Sequence, residues 1–250
     1  SPTDLRKRAA QGKKQTGDVT VTLGYRPPYR WEEMLKFLAD RAIAGVEKVE
    51  EGQYYRTVQL KDRAGKEHSG WLRVARHSRK DALEVTLSDT LVPVLSQVLT
   101  GVRRLFDLYC DPEAVYETLR VMDELQPGLC VKGRRVPGCF EPFEMAVRAI
   151  LGQQITVRAA GTLAGRMAAE LGTPVETGIP GLTRTFPTAE AVLSLGENLR
   201  ERLGTLGVIA ARSACIRALA QALEQGELHL DQTADPVAEM EKLLAIRGIG

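Results

Sequence analysis

The chain has 250 residues, which is enough to bury a sizeable core and to form about two domains. Charged residues make up 26% of the chain but nearly cancel to a formal net charge of +2, so the totals neither require nor exclude a nucleic-acid partner. No apolar run approaches the ~20 residues that span a bilayer, and the polar first residues predict no signal peptide. We therefore expect a cytoplasmic protein without a membrane partner.

Residue types that bind metals are scattered along the sequence. The four cysteines form no C-x-x-C pair, which is typical of free thiols in a reducing compartment rather than of a disulfide framework or a zinc site. His68, His77 and His229 are too dispersed to indicate a metal site or a catalytic triad. We expect neither a metal ion nor a cofactor.

The opening residues 1–17 are basic and polar and contain almost nothing to bury. This composition predicts a solvated linker, and a basic arm near DNA is the alternative. Ser1 followed by Pro2 has the pattern of a helix N-cap and first helical residue. A chain that opens on such a pair is expected to begin inside a larger protein.

Residues 18–100 predict a small antiparallel sheet with an early helix. Trp31, Met34, Leu35 and Leu38 recur at the spacing of one apolar helical face. Short connections between the strands favour a sheet that is covered on one face. Four alternating runs predict the strands: "VTVTLGY", "QYYRTVQL", "GWLRVARH" and "ALEVTLS".

Helical periodicity replaces the strand pattern after about residue 91 and continues through residues 101–250. A Pro- and Gly-rich passage, "QPGLCVKGRRVPGCF", indicates a crossing between domains, and its basic residues are open to two interpretations, DNA contact or a solvated crossover. Beyond it, Glu141-Pro142 and Asp235-Pro236 each have the pattern of a helix start. We predict an α+β protein with an α/β domain over residues 18–100 and an all-α domain over 101–250.

The last stretch, "AIRGIG", places Gly248 and Gly250 at the end of a predicted helix. Glycines in this pattern allow positive φ and close approach of another backbone, and their amide groups suit one phosphate of a nucleic-acid strand. This is the physical logic of a helix–hairpin–helix element. A glycine helix end without any ligand is the alternative.

Five blocks carry a family resemblance by their order and spacing: "YRPPYRWEEMLKFLADRAIAGVE", "RRLFDLYCDP", "VPGCFEPFEMAVRAILGQ", "LGVIAARSACIRALAQAL" and "LLAIRGIG". Together they resemble the helix–hairpin–helix glycosylase superfamily and, within it, the AlkA-type 3-methyladenine DNA glycosylases. The resemblance covers residues 19–250 and implies a TATA-binding-protein-like sheet domain followed by a helix–hairpin–helix glycosylase domain. A weaker likeness of "SPTDLRKR" to the last helix of an AraC-type DNA-binding domain implies a bacterial Ada-type regulator fused to the glycosylase.

The resemblance implies base excision repair of alkylated purines such as 3-methyladenine and 7-methylguanine. Such enzymes flip the damaged nucleotide out of the duplex, and a carboxylate stabilises the sugar as the N-glycosidic bond breaks. In the family this aspartate follows the second helix of the hairpin, so we expect it beyond Gly250 and expect this chain to be inactive. Glu141 and Glu144 are not candidates, because both fall in the first turn of a predicted helix, where negative charge offsets the helix dipole.

The resemblance also implies site residues within the chain. Phe37 matches the aromatic residue that the family's first domain offers to the base pocket, and packing in the sheet–helix core is the alternative. Gln153 and Gln154 match the position of the side chain that fills the gap left by the flipped nucleotide, and an ordinary polar helix end is the alternative. Some members have leucine where this chain has Gln154, and an amide wedges less well by apolar burial.

For the DNA backbone, the resemblance implies contacts from Arg247, Gly248, Ile249 and Gly250. Arg247 stands where the family often has proline. Its side chain either offers a second contact to phosphate or only solvates the turn. Arg212 is open to both a backbone contact and a solvent-exposed position on its helix.

Three functions remain open from the sequence. The first is a monomeric glycosylase acting on alkylated double-stranded DNA. The second is a non-catalytic DNA-binding module of a transcriptional regulator. The third is a glycosylase of the 8-oxoguanine type, because those enzymes share both domains.

Overall fold

The computed structural model describes residues 17–230 and 234–249, so residues 1–16 of the predicted linker and the predicted phosphate contact Gly250 lie outside the described residues. The strands are β1 (Val19–Gly24), β2 (Glu47–Glu50), β3 (Gln53–Lys61), β4 (Glu67–Arg76) and β5 (Ala82–Leu87). In the first half, the helices are α1 (Trp31–Ala39), a 3₁₀ turn (Asp89–Val94), α2 (Leu95–Leu105), α3 (Pro112–Leu119) and α4 (Met122–Leu125). They continue with α5 (Pro142–Gly152), α6 (Val157–Leu171), α7 (Ala189–Leu193), a 3₁₀ turn (Gly196–Asn198), α8 (Leu199–Thr205), α9 (Ala210–Glu224) and α10 (Pro236–Ala245).

The sheet is antiparallel throughout, with the strand order β1-β5-β4-β3-β2. Its fifth strand, β2, corrects the prediction of four strands. With Val49 as its one apolar residue, β2 has no alternating pattern to detect. It forms because a two-residue turn joins it to β3, and both turn residues, Glu51 and Gly52, adopt the positive φ that such tight hairpins need.

Apolar residues form two cores. The first lies between the sheet, α1 and α2, and it extends along the chain to Phe140. The second lies among α5 to α9 and also takes in Ile43 and Val46, from the segment between α1 and β2. Helix α2 runs across the predicted boundary at residue 100, because its apolar face covers the sheet.

The crossing segment between α4 and α5 contains a buried arginine. Arg135 is only 6% exposed, and its guanidinium donates to the backbone oxygens of Cys110 (2.8 Å) and Arg26. Its neighbour Arg134 pairs with Glu33 at 2.9 Å, and Lys132 pairs with Glu113. Arg135 therefore holds the crossing segment to the segments before α1 and α3, whereas Arg134 and Lys132 form partly exposed ion pairs within the chain.

The predicted starts of α5 and α10 are confirmed. The carboxylate of Glu141 accepts a hydrogen bond from the Glu144 amide at 2.7 Å, and that of Asp235 accepts one from the Val237 amide at 3.0 Å. In the described part of the chain, none of the helices combines the length and the apolarity that crossing a membrane requires.

Candidate nucleic-acid interface and cavity

A cavity of about 370 Å³ lies between the two cores. Helix α1, strand β3 and the crossing segment line one side, and α5 and α6 line the other. We call it the interdomain cavity. Its volume is in the range of small-molecule sites, so it is large enough for a single nucleobase.

Phe37 lines the interdomain cavity rather than the core. It lies on the outward side of α1, is 37% exposed, and is absent from both apolar cores. The structure therefore removes the core-packing alternative for this residue. The guanidinium carbon of Arg41 lies 3.8 Å from the centroid of the Phe37 ring, a cation–π contact that the sequence did not reveal.

The floor of the interdomain cavity is a buried network of two carboxylates and two guanidiniums. Arg56 of β3 donates to Glu144 of α5 at 2.7 Å and lies 3.7 Å from Glu47 of β2. Arg148 of α5 lies 3.0 Å from Glu47 and 3.2 Å from Glu144. Tyr54 also donates to Glu47. The charges balance, and the network ties the sheet to the helical part of the chain.

Burial and pairing shift the protonation equilibria around this network. Burial acts to lower the pKa of Arg148, but the carboxylates of Glu47 and Glu144 outweigh it and raise the pKa. Burial raises the pKa of the Cys139 thiol, which also lines the cavity, although Arg104 opposes the shift. Both guanidiniums of the floor therefore stay charged, and Cys139 stays a neutral thiol.

A second surface lies at the carboxyl end of α5. The side-chain amide of Gln153 donates to the backbone oxygen of Gly248 at 2.7 Å, and Arg212 of α9 donates to the backbone oxygen of Gln153. These residues, with Gln154 and Cys215, line a shallow depression that we call the hairpin surface. The structure thus brings Gln153, Gln154 and Gly248 together, and it adds Arg212, which the sequence left open.

The backbone of the hairpin surface is suited to an anion. Gly248 adopts a φ of +101°, and Gln154 adopts a φ of +56°. Within the described ranges, no side chain caps the start of α9, where Ile209 is the N-cap residue, so amide groups of its first turn remain available at this surface.

The remaining predicted hairpin residues differ in environment. Arg247 is exposed, whereas Ile249 is half-buried and packs against the second core. Ile249 therefore anchors the hairpin to the second core.

The two carboxylates that the sequence set aside have structural roles. Glu141 caps α5, and burial raises its pKa. Glu144 joins the ion network, a long-range role that its position in a first helical turn does not reveal. Across residues 17–230 and 234–249, histidine, cysteine and carboxylate side chains form no group that could hold a metal ion.

Sequence comparisons identify relatives. Residues 20–141 match the AlkA N-terminal domain family. DNA-3-methyladenine glycosylase 2 of Escherichia coli K12 is 34% identical over 229 residues, which cover 92% of this chain and 76% of that protein. A probable bifunctional transcriptional activator/DNA repair enzyme AlkA of Mycobacterium tuberculosis is also 34% identical, over 100% of this chain but 49% of that protein.

Structural comparisons agree at the level of the fold. A 3-methyladenine DNA glycosylase from Archaeoglobus fulgidus superposes with a TM-score of 0.67 at 24% identity, over 92% of this chain and 75% of that one. The 8-oxoguanine glycosylase/lyase of Clostridium acetobutylicum, bound to double-stranded DNA, gives 0.60 at 15% identity, over 92% and 72%. These likenesses confirm the predicted α+β class, and the E. coli relative sets the family: the chain belongs to the AlkA family of DNA-3-methyladenine glycosylases.

Proposed function

We propose that this chain binds double-stranded DNA through the hairpin surface and receives a flipped alkylated purine, such as 3-methyladenine or 7-methylguanine, in the interdomain cavity. One observation carries the proposal. Gly152 lines the cavity, and the next residue, Gln153, lines the hairpin surface. A nucleotide that flips out of a duplex held at the hairpin surface would therefore enter the adjacent cavity.

The proposed grip on DNA is electrostatic and independent of sequence. Amide groups of Gly248 and of the start of α9 would face one phosphate, and Arg212 and Arg247 would supply positive charge beside it. Binding through such contacts weakens as salt displaces the protein from the phosphates, so the affinity for any duplex should fall steeply with ionic strength.

The two glutamines take different parts in this proposal. The amide of Gln153 is engaged by Gly248, so it fixes the hairpin to the end of α5. Gln154 is exposed, and its side chain has no hydrogen bond to another described residue. We therefore assign the filling of the emptied duplex position to Gln154.

Lesion recognition is proposed for Phe37. An alkylated purine carries positive charge, and stacking a cationic ring system on a desolvated aromatic face is worth about 1–2 kcal/mol. An undamaged purine lacks this charge and remains stacked and paired in the duplex.

Replacing Phe37 by alanine should therefore reduce lesion preference about fivefold to thirtyfold. The measurement is fluorescence anisotropy with duplexes that contain 2′-fluoro-7-methylguanine or 2′-fluoroguanine, since the fluorine protects the glycosidic bond. Tyr109→Ala is the matched control, because Tyr109 is an exposed aromatic residue, 66% accessible, that does not line the cavity. A wild-type chain that binds both duplexes equally would contradict the proposed function and favour a DNA-binding module without lesion recognition.

Base release should be undetectable with the 250-residue chain. The carboxylates that line the cavity, Glu47 and Glu144, are both paired with guanidiniums and cannot turn toward an oxocarbenium-like sugar without breaking the network. The measurement is chromatography of free 7-methylguanine after incubation with methylated DNA, with spontaneous depurination subtracted. Release above that background would show that a carboxylate of this chain performs the chemistry.

Both surfaces lie within one chain, so the proposal needs one copy of it for each lesion. A one-to-one complex by sedimentation analysis is the expected result. The 8-oxoguanine alternative has support from the fold alone.

A further inference from the structure

We propose that Arg41 is a specificity-determining residue of the interdomain cavity, which lowers the affinity for cationic purines relative to neutral ones. The inference rests on the proposed function, because it concerns which flipped bases this cavity accepts. It starts from the contact between Arg41 and Phe37.

Arg41 already occupies the place that a cationic base would take. Arg41 lies just beyond the carboxyl end of α1, four residues after Phe37, and this spacing brings the two side chains together. Its guanidinium carbon lies 3.8 Å from the ring centroid, and one guanidinium nitrogen lies 3.4 Å from the Phe37 backbone oxygen. Both side chains line the cavity, so a base that stacks on this ring face must displace the guanidinium.

Arg41 also sets the net charge of the cavity. The charges of Arg56 and Arg148 are balanced by Glu47 and Glu144. Arg41 has no carboxylate within salt-bridge distance among the described residues, so the cavity lining carries one uncompensated positive charge.

The backbone that carries the Arg41 side chain is held in place next to the cavity. The backbone oxygen of Arg41 accepts a hydrogen bond of 2.6 Å from Arg148, and its amide donates to Leu38 at 3.2 Å. A guanidinium displaced from the ring remains attached to this backbone, so it stays within about one Debye length (~10 Å) of the incoming base.

Arg41 affects binding in two ways, through the cost of displacing its guanidinium and through the charge that remains nearby. Removing the guanidinium from the ring costs the same for any purine, so this step lowers affinity without changing preference. The charge that remains nearby repels a cationic purine and not a neutral one. At about 10 Å and an effective dielectric constant between about 20 and 80, this repulsion corresponds to a factor of about 2 to 17 in affinity.

The test compares three duplexes with the same 2′-fluoro sugar, carrying 7-methylguanine, hypoxanthine or guanine. Affinities of the wild-type chain, Arg41→Met and Arg41→Lys are measured by anisotropy at about 50 and 300 mM salt. We expect Arg41→Met to raise the affinity ratio of 7-methylguanine over hypoxanthine about threefold to tenfold at low salt and less at high salt. Arg41→Lys keeps the charge and should keep the wild-type ratio.

Arg79→Met is the matched control, since it removes one exposed positive charge outside the cavity and should leave the ratio unchanged. Thermal melting of each variant confirms folding. An unchanged or lowered ratio in Arg41→Met, with lesion preference otherwise intact, overturns this inference alone. Equal binding of all three duplexes by both the wild-type chain and Arg41→Met overturns the proposed function and this inference with it.

Discussion

Arg56→Met should lower the free energy of unfolding by about 3–5 kcal/mol, the largest effect on stability that we expect from a single substitution at the site. Arg56 is 3% exposed and lies between Glu47 and Glu144. Its removal leaves two buried carboxylates with Arg148 as their one remaining guanidinium within salt-bridge distance among the described side chains. Methionine fills much of the volume but compensates none of the charge. Urea denaturation followed by circular dichroism measures the change.

Lys36→Met is the control for this experiment. Lys36 pairs with Asp40 at 2.9 Å, but both side chains are more than half exposed to water. Solvent-exposed pairs contribute little, so the control should change stability by less than about 1 kcal/mol. Equal effects of the two substitutions would mean that the buried network adds nothing beyond an ordinary surface pair.

Gly248→Val should weaken binding to damaged and undamaged duplexes alike, by about fivefold to 150-fold. Gly248 has a φ of +101°, a conformation that a β-branched residue rarely adopts. An added Cβ would also lie 3.3 Å from the Cβ of Cys215. Holding such a residue in this conformation costs about 1–3 kcal/mol, and that cost reduces the population of the hairpin that can grip a phosphate. Anisotropy with both duplexes measures the effect.

Gly226→Val is the matched control for the hairpin experiment. Gly226 also has a positive φ, +70°, and a Cβ added there would meet no described atom within 4 Å. It follows the far end of α9, and that helix of 15 residues is about 22 Å long, so Gly226 is remote from the hairpin surface. It should therefore share the backbone strain but keep its DNA affinity. Loss of binding in both variants would assign the effect to general destabilisation.

The substitutions separate affinity for any DNA duplex from preference for a particular flipped base. Gly248 is expected to change affinity for every duplex, since a phosphate contact carries no information about the base. Phe37 and Arg41 are expected to change which base is accepted, because they line the cavity. An effect of Gly248→Val confined to the damaged duplex would contradict this division.

Local sequence determined most of the helices and four of the five strands. Apolar periodicity and the caps at Glu141 and Asp235 are properties of a few neighbouring residues, so they can be read without knowing the rest of the chain. The resemblance to glycosylases marked Phe37, Gln153 and Gly248, because those motifs keep their order and spacing along the sequence.

Contacts between distant residues were decided by the tertiary structure. Strand β2 forms because β3 offers it an edge, and Glu144 meets Arg56 across 88 positions of sequence. Gln153 reaches Gly248 across 95 positions, and Arg148 reaches the Arg41 backbone across 107. Such pairs produce no periodic pattern in the sequence. From its neighbours alone, each partner is an ordinary polar residue of its own helix, strand or turn. Local sequence therefore determined most of the helices and strands and the positions of the motifs. The packing of the two cores decided which charged side chains line the cavity and which of these charges has no partner among the described residues.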